Sequence, residues 1–409
     1  MRTGRRLLAA FLSCMLWTLP AAAGIRESRA ETEAEEITAD CALEGQNGKR
    51  TLHEMTDRKY DTYYTIGKGK HLEITCEENI GGVFLQWFDR PSACQVQVQD
   101  GDGWTTAAEG GEHFLSEWFP LPKGARKVRI VNAGKGRMYL AELTVYGVGA
   151  KPAGVPVWRL ADKTDLMVMV AHPDDELLWF GGLLPTYAGQ RGLDVAVAYL
   201  VPTTPLRRLE LLDGLWTCGV TIYPAFGAMR DARSDTLKGQ YKLWNKRRLW
   251  GQVVEILRQY KPDVLVTHDF SGEYGHGAHR AVADAAASCA KLAADPRKFV
   301  ASAKKWGAWQ VSKVYVHLYE EDALKMDWHQ PLSAFGGEDG YAVAVRAFAC
   351  HKSQQAHGWA MEDGGKYDNS RFGLYFTAVG EDTRHDDFME NIASHDADPD
   401  ADSDASAGL

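Results

Sequence analysis

A short run of imidazole and carboxylate side chains directly behind a buried strand constrains this chain more than any other feature. Residues 166–170 read Leu-Met-Val-Met-Val, an apolar run of strand length. Behind them come Ala171, His172, Pro173, Asp174, Asp175 and Glu176, and then Leu177, Leu178, Trp179 and Phe180, which open a helix. An imidazole and adjacent carboxylates therefore sit at the carboxyl end of a strand, the edge where open α/β sheets bind ligands. Such groups are costly to bury unpartnered, and a divalent metal would compensate them together.

A second cluster has the same setting. Residues 261–268 read as a strand entered after Pro262, followed by Gly272, Glu273, Tyr274, Gly275, His276, Gly277 and His279, and then by an alanine-rich helix. His276 and His279 share a face if they lie on one helical turn. The glycines at 272, 275 and 277 permit a tight loop. Taken singly, each cluster has an ordinary explanation: a surface histidine pair, or Asp174 or Asp175 capping a helix. Two such clusters, each behind a strand and ahead of a helix, point to a metal site. The nitrogen and oxygen donors suit zinc and also admit iron, cobalt or manganese. Gly181-Gly182 has no phosphate-loop pattern around it, so no nucleotide cofactor is expected.

On these residues the chain resembles the PIG-L/LmbE-like N-acetylglucosaminyl deacetylases, over about residues 163–392. The resemblance implies a Rossmann-like α/β fold, a mostly parallel sheet with helices on both faces, and one Zn2+, with Fe2+ or Co2+ as other divalent candidates. It implies His172, Asp175 and His279 as metal ligands and Asp174 as general base. His276 becomes an acid or oxyanion stabiliser, and Tyr274 a mobile substrate-contacting residue. The chemistry is consistent: three protein ligands leave a position for water, and a neighbouring carboxylate can take its proton. Ala278 departs from the acidic or polar residue many members carry there, which would alter the pH profile without removing a ligand.

The resemblance extends to Arg207 in Arg207-Arg208-Leu209-Glu210-Leu211, whose counterpart faces the sugar, and to Asp231, placed to accept sugar hydroxyls. A solvated helix face and a turn aspartate are the plain alternatives. Arg207 follows a strand at residues 195–201, and Asp231 follows one at 220–223. The segments around His351 and Tyr367 also look like late family segments, without an assigned role. His268, His317 and His351 read as core histidines.

The ends set a different expectation. Arg2, Arg5 and Arg6 precede an apolar run at 7–19, then Pro20 and three alanines: a signal peptide over 1–23, cleaved near Ala23, and hence a secreted or extracytoplasmic chain. That run is shorter than a spanning helix needs, and no membrane span is expected in the mature chain. An acidic flexible leader covers 24–40 and an acidic disordered tail covers 393–409. Much of the net charge of −9 lies in these ends, and an acidic exported chain is a poor nucleic-acid binder.

Residues 41–148 alternate apolar and polar positions between glycine turns, which predicts a separate all-β sandwich. Residues 55–64 resemble an early turn of discoidin-like domains. That implies a carbohydrate-binding module, with Tyr63, Tyr64 or Trp104 as sugar platforms or, more plainly, as core aromatics. A Cys41–Cys76 or Cys76–Cys94 disulfide fits an oxidising compartment. Residues 149–162 form the linker.

The expected function is a secreted zinc-dependent hydrolase that removes the N-acetyl group from an N-acetylglucosamine-type sugar or glycoconjugate, with polysaccharide held by the sandwich. Two alternatives are a metal-dependent amidase acting on a non-sugar or thiol-conjugate substrate, and a catalytically inactive glycan-binding protein.

Overall fold

The computed structural model describes residues 32–46 and 49–393. The expected signal peptide, the start of the leader and nearly all of the tail lie outside the described residues.

The α/β part is built on β10 (Thr164–Val170), whose seven residues are all buried. A strand covered on both faces needs a continuous apolar run, and this one has it. It pairs in parallel with β11 (Val195–Tyr199) on one side and β13 (Pro262–Thr267) on the other. β12 (Ala225–Phe226) extends the β11 side, and β14 (Lys313–His317) the β13 side, also in parallel. β15 (Ala323–Lys325) and β16 (Arg371–Thr377) close the sheet antiparallel, giving the order β12-β11-β10-β13-β14-β16-β15.

Alternate residues of β10 enter different cores, as the period of two requires. Leu166, Val168 and Val170 pack with α2 (Pro205–Thr217) and α7 (Gly340–Phe348). Met167 and Met169, with Ala171 just past the strand, pack with α4 (Lys246–Tyr260) and α5 (Gly277–Ala293). Helices therefore cover both faces of the sheet. The strand order reverses between β10 and β13, and their carboxyl ends open a crevice there.

The N-terminal part is a two-sheet antiparallel sandwich. One sheet holds β1 (Cys41–Gly45), β3 (His71–Cys76), β8 (Lys127–Asn132), β5 (Cys94–Asp100) and β6 (Gly103–Gly110). The other holds β2 (Tyr64–Ile66), β9 (Met138–Tyr146), β4 (Gly82–Asp89) and β7 (Ser116–Pro120). Leu72 and Ile74 of β3 face Val128 and Ile130 of β8 in the core, and polar residues alternate outward. Cys41 is bonded to Cys76 across the β1–β3 pair. Cys94 is buried and free.

The sandwich is docked on the α2 side and shares one continuous apolar cluster with that face of the sheet. Trp158 donates to Ser116 Oγ at 2.8 Å, and the Leu115 amide donates to the Tyr223 hydroxyl at 3.1 Å. Tyr60 donates to Asp213 of α2 at 2.5 Å and accepts from Gln86 of β4 at 3.0 Å.

Some sequence expectations change. The described part of the leader pairs its backbone with the sandwich and the start of the linker: Ala34 N donates to Ala150 O and Ile37 N to Val145 O, both at 2.8 Å. Residues 220–223 carry only an isolated bridge between Arg159 and Ile222; the strand forms after Pro224, at Ala225–Phe226. Tyr64 is 1% exposed and offers no face to a sugar. Tyr63 packs against Phe88 and Tyr139, and the Arg129 guanidinium covers Trp104 at 4.4 Å. Among the described residues, no helix is long and apolar enough to cross a membrane.

Burial pushes the Asp213 carboxyl up to about 6, against the opposing hydrogen bond from Tyr60. A carboxyl raised in the folded state is easier to keep protonated there, so its effect on stability is least adverse below pH ~4 and worsens as pH rises to ~6. Asp213→Asn is therefore expected to flatten the fall in Tm between pH 4 and 7, measured by thermal melts against the parent chain. Parallel Tm profiles would refute this role for Asp213.

Candidate metal centre

The two loops at the crevice deliver the site. After β10 the chain turns sharply at Asp174, which has φ 108, into the short helix α1 (Asp175–Leu178). A non-glycine residue rarely holds this conformation, and here two contacts fix it. Its amide donates to Glu176 Oε2 at 2.9 Å, and its carboxylate pairs with Arg207 at 3.0 Å. The Asp174 carboxylate makes no cap hydrogen bond.

The loop after β13 needs its glycines. Gly272 has φ +72, and a Cβ there would lie 2.5 Å from the His276 carbonyl. A Cβ on Gly277, the first residue of α5, would lie 2.3 Å from the Ser234 carbonyl. His276 caps α5: its Nδ1 accepts from the Ala278 amide at 3.2 Å. The proton of the neutral ring is then on Nε2, which makes that nitrogen a donor.

His172, Asp175 and His279 bring one ligand atom each to within 4.8 Å of one another; Asp175 and His279 are buried, and the His172 side chain is 12% exposed. Asp175 Oδ2 accepts from the His172 amide at 2.7 Å, and Oδ1 accepts from Trp179 Nε1 at 3.0 Å. His279 Nδ1 lies 2.6 Å from Glu273 Oε2, so the carboxylate takes the proton side of the ring. His279 Nε2 is buried, without a hydrogen-bond partner, and 3.3 Å from Asp175 Oδ1. An orphaned imidazole nitrogen beside a carboxylate, with its far side held by a second carboxylate, is the arrangement of a metal-binding histidine. The residues thus fit a divalent ion.

Charge is arranged to match. Burial alone would raise Asp175, but His279, His172 and His268 hold it well below the usual carboxylate range. Asp174 goes the other way: burial, then the Asp175 charge, push it well up, and Arg207 opposes them. Burial, with His279 and His172 nearby, lowers His276 to about 3, so its ring is neutral.

The remaining sequence candidates fall as follows. Tyr274 is half-buried, 5.6 Å from the His279 ring and 5.7 Å from that of His276. Asp231 stands at the mouth, 65% exposed at its side chain and 3.9 Å from His172 Nε2. Arg207, expected to face a sugar, instead bonds the Pro173 carbonyl and Asp174, because α2 packs directly behind that turn. Glu210, one turn on, accepts from Ser353 N at 2.7 Å and Ser353 Oγ at 2.6 Å, tying the late segment to α2. His351 is fully buried, 3.3 Å from Glu176.

Sequence reasoning missed Glu273 and underrated His268. Glu273 is completely buried as a side chain and faces His268, His279 and His317. His268 stacks on His279 at 4.1 Å and accepts from the Ala171 amide at 3.0 Å, bridging the two loops. A carboxylate inside a histidine-rich loop was the available signal.

Residues 167–290 match the family described as PIG-L: GlcNAc-PI de-N-acetylase. Residues 167–290 form a PIG-L family domain. Two relatives are named 1D-myo-inositol 2-acetamido-2-deoxy-alpha-D-glucopyranoside deacetylase. The Catenulispora acidiphila protein is 28% identical over 48% of this chain and 69% of its own length. The Streptomyces avermitilis protein is 30% identical over 37% of this chain and 60% of its own length. Among solved structures, the N,N'-diacetylchitobiose deacetylase of Pyrococcus horikoshii is 16% identical, covering 47% of this chain and 71% of that one, with a TM-score of 0.35. The family 32 CBM from C. perfringens NanJ is 16% identical, covering 28% of this chain and 98% of that one, with a TM-score of 0.24. The expected N-deacetylase class agrees with the names of the relatives.

If the PIG-L domain holds its metal through His279, Glu273→Gln should cost ~10–100-fold in metal affinity by loosening that ring, and His279→Ala should lose the metal altogether. Metal content after dialysis against graded chelator checks both. Unchanged content in His279→Ala would rule out this ligand set.

Proposed function

We propose that this chain is an extracytoplasmic zinc-dependent N-deacetylase acting on an N-acetylglucosamine-type sugar or glycoconjugate. One observation carries the reading: the buried, unpartnered His279 Nε2 beside Asp175 and His172, with a second carboxylate on the adjoining residue. The all-N/O donor set and three protein ligands favour zinc in a catalytic rather than a structural site.

A divalent ion bound there supplies Lewis acidity and acidifies water near neutral pH. Asp174 takes the proton from the attacking water, and its raised affinity for protons suits that work. Arg207 steadies the Asp174 carboxylate when charged. His276, neutral and with Nε2–H free of the helix cap, donates to the oxygen of the acetamido carbonyl as charge develops on it. Tyr274 lies beside His276 as a second donor. The proton held by Asp174 then passes to the departing amine, and acetate is released. Asp231 at the mouth accepts from sugar hydroxyls.

The basic and apolar N-terminus supports export, and the Cys41–Cys76 disulfide suits an oxidising compartment. In the same reading the sandwich keeps the enzyme near polysaccharide, through surfaces other than the faces of Tyr63, Tyr64 and Trp104.

Acetate release from N-acetylglucosamine and its short oligomers tests the reaction. It should stop on chelation and return with zinc. Asp174→Asn should keep stoichiometric metal and lose ~10²–10⁴-fold in turnover. Acetate release only from N-acyl amino acids or thiol conjugates would replace the sugar with another acyl substrate.

A further inference from the structure

The metal centre opens onto a cluster of aromatic rings of which the reaction uses only the Tyr274 hydroxyl. Trp179 is anchored by its bond to Asp175 and lies 6.0 Å from the His279 ring. Tyr274 lies 5.7 Å from Trp179, and Trp359 lies 5.1 Å from Tyr274 at an interplanar angle of 35°. Trp359 is also 6.4 Å from Trp179, so the three rings form one triangle beside the His279 ring, and its outer member, Trp359, is 42% exposed. An indole left this open in a polar surface has apolar area to cover.

Its segment is held in place. The Tyr367 amide donates to Glu362 Oε2 at 3.0 Å, Asn369 N donates to Glu362 O at 3.2 Å, and Tyr341 donates to the Met361 carbonyl at 3.1 Å. Just upstream, the turn Lys352–His357 is tied to α2 through Ser353 and Glu210. A fixed, half-open aromatic face binds at low entropic cost.

We infer that Trp359 is a platform for a second pyranose, linked to the amino sugar that is deacetylated. Tyr274 and Trp179, 5.6 Å and 6.0 Å from the His279 ring, stand between it and Trp359, so the indole lies outside the first ring layer of the site, where a unit joined to the reacting sugar would sit. The apolar C–H face of a pyranose matches an indole face, and the exposed Asp231, 3.9 Å from His172 Nε2, is a polar group at the mouth for hydroxyls. The substrate class is then an N-acetylated oligosaccharide rather than a free monosaccharide. This rests on the deacetylase reading.

The test uses the full mature chain, with Trp359→Ala and Trp359→Phe, on N-acetylglucosamine and its β-1,4-linked dimer and trimer. The ratio of kcat/KM for trimer to that for monomer should fall about tenfold in Trp359→Ala and recover in part in Trp359→Phe. An unchanged ratio, or one uniform loss at every length, overturns the platform. Calorimetric binding of the same sugars to Asp174→Asn, with and without Trp359→Ala, separates the two ideas. Acetate release without length dependence keeps the deacetylase and removes the platform. Trimer binding that needs Trp359, with no acetate from any sugar, does the reverse. Absence of any trimer binding overturns the platform outright.

Discussion

A buried carboxylate with imidazoles around it holds the site together. Glu273 has no exposed side-chain surface, and a lone charge there would be prohibitive. His268 and His279 hold it well below the usual carboxylate range despite its burial, and His317 faces its Oε1 at 3.2 Å. Each contact has a structural consequence. The bond to His279 turns Nε2 towards Asp175. His268 links the β13 loop to the Ala171 amide behind β10. His317 ties in β14 and, through the Asp368 carbonyl, the late segment. One carboxylate therefore fixes loops from three neighbouring strands and sets the metal-facing nitrogen.

A matching device sits under the other loop. Glu176 receives the Asp174 amide and lies against His351, so the strained turn that presents Asp174, the proposed general base, is backed by a buried pair. Arg207 and Glu210, one helical turn apart on α2, reach the Asp174 turn and Ser353 respectively. The arrangement joins an early motif to a late one through a single helix.

Much of the α/β part was legible in the chain. The continuous apolar run of β10 and the two polar clusters behind strands announce a parallel sheet with a ligand at its carboxyl edge. His172, Asp175 and His279 stand out because their types and setting have few other uses. Glu273 and His268 were harder to read, since a carboxylate and an imidazole acquire a role only from what they face after folding. Arg207 illustrates the same limit: its helix was evident, its partner was not. The leader looked polar and free, yet its backbone amides at Ala34 and Ile37 found carbonyls on the linker and the sandwich, and backbone pairing is indifferent to side-chain polarity.

By itself the sequence determined the periodicities, the strand-loop-helix settings and the ligand types, because these depend on neighbours within a few residues. Tertiary structure alone decided three things: that β10 and β13 lie side by side across the reversal in strand order, that Glu273 gathers histidines from β14, α5 and the loop after β13, and that Trp359 clusters with Tyr274 and Trp179. Those juxtapositions join residues about 100 or more apart in several cases, as between Ala171 and His268, whose separation is 97. They follow from which faces pack and which charges must be neutralised together, and no local pattern encodes that.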